Sequence, residues 1–182
     1  NPQSYFCIRV RNPLYDKYRF IYDDVEGGAL MNMEKFFGLS LVNRLERKHP
    51  ETVEQFFDEC QEDFENDPCI RVLDSNDSLE CVSDVLLAKK RKTAREKGKD
   101  EPGSYGAEKA KRTKQGLRRL VGPNGPLARH GSILIIISQT IDNLGFGFEK
   151  KTRAGGRALR FFAAGEAWFS IKGSIKKTVH DI

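Results

Sequence analysis

The sequence contains no apolar run approaching the ~20 residues that a bilayer-spanning helix requires, so no membrane partner is expected. Its first residues lack the basic start, apolar stretch and small-residue cleavage pattern of an export signal. The four cysteines, Cys7, Cys60, Cys69 and Cys81, form no C-x-x-C pair. Together these absences point to a cytoplasmic chain with free thiols. His49, His130 and His180 stand far apart, and with scattered cysteines they argue against a zinc site. No internal repeat is visible.

What is present is enough for one core: 182 residues, 38% of them hydrophobic. The net charge of +5 hides a strong asymmetry. Residues 1–87 carry 9 basic and 18 acidic side chains, a net of −9. Residues 88–119 carry 13 and 4, a net of +9, and residues 150–177 carry 8 and 1, a net of +7. An apolar segment separates the two basic blocks, so folding can place them on one face. A polyanion is one partner for such a face, since each neutralised phosphate releases a counterion. A solvated charged helix with ordinary surface lysines is the other reading.

Hydrophobic periodicity supplies the elements. Residues 18–22 (YRFIY) read as a buried strand. A helix is expected over 29–37, stopped by Gly38. The clearest helix is 52–65, where Val53, Phe56, Phe57, Cys60 and Phe64 share one face and the opposite face is acidic. Residues 69–73 (CIRVL) form a short strand. A basic helix ends before a glycine- and proline-interrupted loop at 97–106, and a second basic helix follows over 107–120. Residues 132–138 (SILIIIS) suit a central parallel strand covered on both faces. A glycine-rich basic loop over 141–157, a short helix at 159–164 and a final strand at 167–171 complete the pattern. Residues 5–10 alternate weakly and could form a strand, but 1–17 as a whole remain an unassigned N-terminal segment. Strands alternating with helices predict an α/β domain over 18–182, a mostly parallel sheet with flanking helices.

Four constellations carry candidate chemistry. The strand CIRVL delivers Asp74 and Ser75 at its carboxyl end, where an aspartate holds the water shell of magnesium in some ATPases; a simple turn former fits equally. Asp23, Asp24 and Glu26 follow the first strand and offer a carboxylate to orient a water, or only an acidic turn. Gln139 follows the apolar strand, as a phosphate-sensing amide or a polar cap. In the basic loop, Gly145, Gly147, Gly155 and Gly156 permit close backbone approach, and Lys150, Lys151, Arg153 and Arg157 suit phosphates. Phe146 and Phe148 either stack on bases or fold inward.

Residues 139–148 (QTIDNLGFGF) and 152–163 (TRAGGRALRFFA) resemble the second DNA-binding loop and following helix of RecA-type recombinases, in a phage-like flavour. The GGRALRF piece at 155–161 is the most specific part. The resemblance covers about residues 18–175. It implies a RecA-like P-loop NTPase core in which Asp74, with Ser75, supports Mg2+. It also implies that Glu26, or alternatively Asp24, is the catalytic carboxylate, and that Gln139 contacts the nucleotide. Lys150, Lys151, Arg153, Gly155, Gly156 and Arg157 would bind single-stranded DNA, and residues 103–120 would carry the end of the first DNA-binding loop. The implied cofactors are ATP and Mg2+, and the implied assembly is a homo-oligomeric filament acting in recombination or repair. The chain departs from the family in one respect: G-x-x-x-x-G-K-[ST] occurs nowhere in it. A core truncated at both ends is therefore expected. A non-catalytic DNA-binding or filament-regulating relative, and a RecA-fold ATPase of another motor such as a helicase, remain alternatives.

Overall fold

The computed structural model describes residues 16–28, 32–96, 107–142, 151–153, 157–170 and 173. Four strands form a parallel sheet: β1 (Arg19–Asp24), β2 (Leu45–Lys48), β3 (Cys69–Asp74) and β4 (Ile133–Ile136), in the order β2-β1-β3-β4. Between β1 and β2 lie two short helices, α1 (Met33–Phe37) and α2 (Leu39–Val42). Helix α3 (Val53–Asn66) joins β2 to β3. Helices α4 (Val82–Glu96), α5 (Ala107–Leu120) and α6 (Pro126–Arg129) separate β3 from β4. A second, antiparallel ribbon pairs β5 (Thr140–Asp142) with β6 (Lys151–Arg153), and α7 (Ala158–Phe162) follows. The α/β class with a mostly parallel, helix-flanked sheet is thus as the sequence predicts. No helix among the described residues is long and apolar enough to cross a membrane.

The core follows from strand alternation. Ile21 of β1 and Cys69 and Leu73 of β3 turn toward α3, which returns Val53, Phe56, Phe57, Cys60 and Phe64. Thr52 caps α3 by accepting the Gln55 N–H at 3.2 Å. Helix α5 packs on α3 with Leu117 and Leu120, and α7 adds Leu159. On the same face of the sheet, Arg71 is fully buried and grips Asp23 with two hydrogen bonds of 2.7 Å. It also donates to Asp63 at 2.6 Å and to Glu59 at 3.0 Å. Burial pulls the guanidinium toward neutrality, but the hydrogen bonds it donates to Asp23 and Glu59, with the charge of Asp23, outweigh it and hold Arg71 charged. Removing one partner of such a buried pair typically destabilises by ~3–5 kcal/mol, because the other charge is left uncompensated. The network therefore locks α3 to β1 and β3.

Three expectations are corrected. The run ILII is not central: among the described residues β4 is the sheet edge, with Ile133 39% exposed. Leu134 and Ile136 pack against the core while the alternate face is only partly covered. Second, residues 167–170 form no strand, and Trp168 and Phe169 are exposed. Third, 141–157 is not loop throughout, since its ends pair as β5 and β6. Helix α1 begins at Met33 rather than 29; residues 29–31 and 5–10 lie outside the described residues.

Candidate functional site

In a parallel sheet ordered β2-β1-β3-β4, the chain turns outward in opposite directions from β1 and from β3. The crevice between their carboxyl ends is the topological switch point, where open α/β sheets place ligands. Asp24 and Asp74 end these two strands as direct neighbours in register. Strand alternation puts Tyr22, Asp24 and Asp74 on the face opposite α3, and the Tyr22 hydroxyl donates to Asp74 Oδ2 at 2.7 Å. Asp23 points the other way into the Arg71 network, so of the acidic stretch only Asp24 and Glu26 belong to this edge.

Glu26 gathers the rest. Its Oε1 accepts from Ser75 Oγ at 2.5 Å, Ser78 Oγ at 3.0 Å and Gln139 Nε2 at 3.2 Å. The Asp74–Ser75 peptide bond is cis. A short 3-10 turn, Asn76–Ser78, follows β3, and Asp77 Oδ2 accepts the backbone N–H of Gln139 at 2.6 Å. Four residues read separately from the sequence, Glu26, Asp74, Ser75 and Gln139, thus come together at one edge.

Their electrostatics diverge. The hydrogen bond from Ser75 chiefly, then those from Ser78 and Gln139, hold the Glu26 carboxyl below its ordinary value despite some desolvation. Asp74 moves up: burial dominates, and the charges of Glu26 and Asp24 add to it against the Tyr22 hydrogen bond. The same burial, with Asp74 as acceptor, raises the Tyr22 phenol. A carboxylate held ionised by three donors orients a hydrogen-bonded water well and removes its proton poorly.

No family model and no curated protein matches the chain. Among the described residues, no group of three His, Cys, Asp or Glu side chains could hold a metal ion. Asp74 and Asp24 supply carboxylate oxygens, which suffice for magnesium only when phosphate and water complete its octahedron. The phosphate cradle that would bring a nucleotide there, a glycine-rich turn with Lys and Ser or Thr, has no counterpart in the sequence. The residues present therefore do not by themselves fit ATP and Mg2+.

The basic candidates are placed unevenly. Gln139 leads directly into β5, whose partner β6 carries Lys151 and Arg153, with Thr140 opposite Arg153 and Asp142 opposite Lys151. Arg157 is exposed at the start of α7. Lys150, Gly155 and Gly156 lie outside the described residues, as do Gly145, Phe146, Gly147 and Phe148. Sequence reasoning missed Tyr22, Asp77, Ser78 and Lys109. Tyr22 shares the alternation of Asp24, and Ser78 closes the D-S-N-D-S turn, so those two left a faint signal. Asp77 and Lys109 left none, because their roles depend on contacts across the fold.

Proposed function

We propose that the chain is a RecA-like core that binds single-stranded DNA and works in recombination or repair, in a self-associated form. One observation carries this reading. Glu26, the Asp74–Ser75 edge and Gln139 meet at the switch point, and Gln139 opens the ribbon that bears Lys151 and Arg153. The acidic strand-end cluster is thereby connected, through one residue, to a basic segment. In this reading Lys150, Lys151, Arg153 and Arg157 neutralise DNA phosphates, with Gly155 and Gly156 allowing close approach. By the resemblance alone, Asp74 and Ser75 correspond to the magnesium side of a nucleotide site and Glu26 to its water-orienting carboxylate. Binding of ATP then requires phosphate-cradling groups that this sequence does not carry.

Fluorescence anisotropy with labelled oligothymidylate at low salt tests the proposal. Saturable binding is expected, weakened several-fold in the Arg153→Ala, Arg157→Ala double variant with its melting temperature unchanged. Absence of binding, or equal binding by the double variant, would overturn it. The missing G-x-x-x-x-G-K-[ST] pattern favours a second reading, a non-catalytic DNA-binding or filament-regulating module. Titration with a fluorescent ATP analogue separates the two, since magnesium-dependent saturation excludes the inert module.

A further inference from the structure

The turn after β3 is joined to two other elements at once. The Asp77 carboxylate accepts the Gln139 N–H at 2.6 Å across 62 residues of sequence. The Asp77 backbone carbonyl accepts Lys109 Nζ at 2.8 Å across 32 residues. Lys109 sits in the first turn of α5, and its ammonium is half-buried, with a pKa lowered by that burial. It has exchanged solvent for this carbonyl, whereas Lys111 and Lys114 on the same helix are exposed. Two further bonds bolt the turn to the exit of β4: Asn76 N–H to the Ile137 carbonyl and Ile137 N–H to the Leu73 carbonyl, both 3.0 Å. Gln139 in turn reaches Glu26, 113 residues away.

These bonds form one continuous path, from Glu26 through Gln139 and Asp77 to Lys109. We infer that Asp77 is a positioning residue that fixes Gln139 at the mouth of the β5–β6 ribbon and, through its carbonyl, the first turn of the basic helix α5. A ligand that draws Gln139 away from Glu26 then shifts the turn, and with it the start of α5. The use of this link, changing how α5 meets an anion, rests on the proposed DNA-binding reading; the link itself rests on the four hydrogen-bonded partners. Spatial continuity alone does not establish coupling, so the test must read one end while the other is altered.

Hydrogen exchange on the full chain does this. Asp77→Ala is expected to speed exchange several-fold at the Gln139 amide and in the 107–117 peptide, with the 56–64 peptide of α3 unchanged. Asp77→Asn keeps an acceptor oxygen for Gln139 and should restore most of the protection, which a merely space-filling role would not require. Should Asp77→Ala fail to fold, Lys109→Met probes the same link, with faster exchange at Gln139 expected. Wild-type protection of 107–117 in Asp77→Ala, or identical behaviour of the Ala and Asn variants, would overturn the inference. Oligothymidylate binding by the wild-type protein is scored separately: its absence sinks the DNA reading, while the exchange data still decide the role of Asp77.

Discussion

Glu26 and Asp74 belong to one site yet are pushed in opposite directions, and the causes are separable. Glu26 is lowered chiefly by the Ser75 hydroxyl, so Ser75→Ala should bring its pKa back up toward the ordinary 4.5. Carbon-detected NMR titration of the Glu26 carboxyl would measure this, and an unmoved value would reject the hydrogen-bond explanation. The linkage follows from the sign. A carboxyl lowered on folding adds stability that is complete above its ordinary value and is lost as pH falls through the folded value. Asp74 runs the other way. Raised by burial above its ordinary 3.8, it favours the fold most at low pH and loses that contribution as pH rises through its folded value. The edge therefore keeps one fixed anion beside one carboxyl whose ionisation is unfavourable without a compensating partner. That combination suits an incoming cation or hydrogen-bond donor at Asp74 more than proton abstraction by Glu26.

At the level of elements, α3 and α5 pack without room to spare at Gly116. A Cβ on Gly116 would lie 2.1 Å from Phe57 Cγ, and Phe57 is itself buried. Gly116→Ala should therefore destabilise by ~1–3 kcal/mol, through displacement of the ring, despite the better helix propensity of alanine. Urea denaturation measures it, and a neutral or stabilising result would mean that the ring moves freely. The spacing of α3 was legible because it is local. Strand β2 was not: Leu45, Glu46, Arg47 and Lys48 show no apolar alternation, since Glu46 and Lys48 are satisfied by Arg19 and Asp63 instead. For the same reason nothing in CIRVL betrayed the buried network around Arg71. Asp74 and Gln139 were legible as polar residues at strand ends. The partners that bind them into a site, the Tyr22 hydroxyl that donates to Asp74 and the Asp77 carboxylate that accepts from Gln139, exist only once β1, β3 and β4 are side by side.

Across the whole molecule, the charge asymmetry of the sequence becomes a surface. Three carboxylates of the acidic half, Asp23, Asp63 and Glu59, are held by Arg71. The basic half is less spent. Arg119 pairs with Asp58 and Arg112 with Glu108, but Lys114 and Arg118 of α5 and Arg157 and Arg160 beside α7 are exposed. Helices α5 and α7 pack against each other, so these side chains belong to one neighbourhood of the fold. If the neighbourhood holds a single strand by its phosphates, affinity must fall with salt as condensed counterions are released. The slope of log K against log salt should then become shallower by about 0.7 for each contacting charge removed. Anisotropy titrations with oligothymidylate over a salt series are expected to give a slope shallower by about 1.4 in the Arg157→Ala, Arg160→Ala variant. Reversal of Glu62, on the far acidic face of α3, should leave the slope where it was. Equal slopes in wild type and the double variant would place the phosphates elsewhere, and would break the link between this basic surface and the ribbon that Gln139 opens.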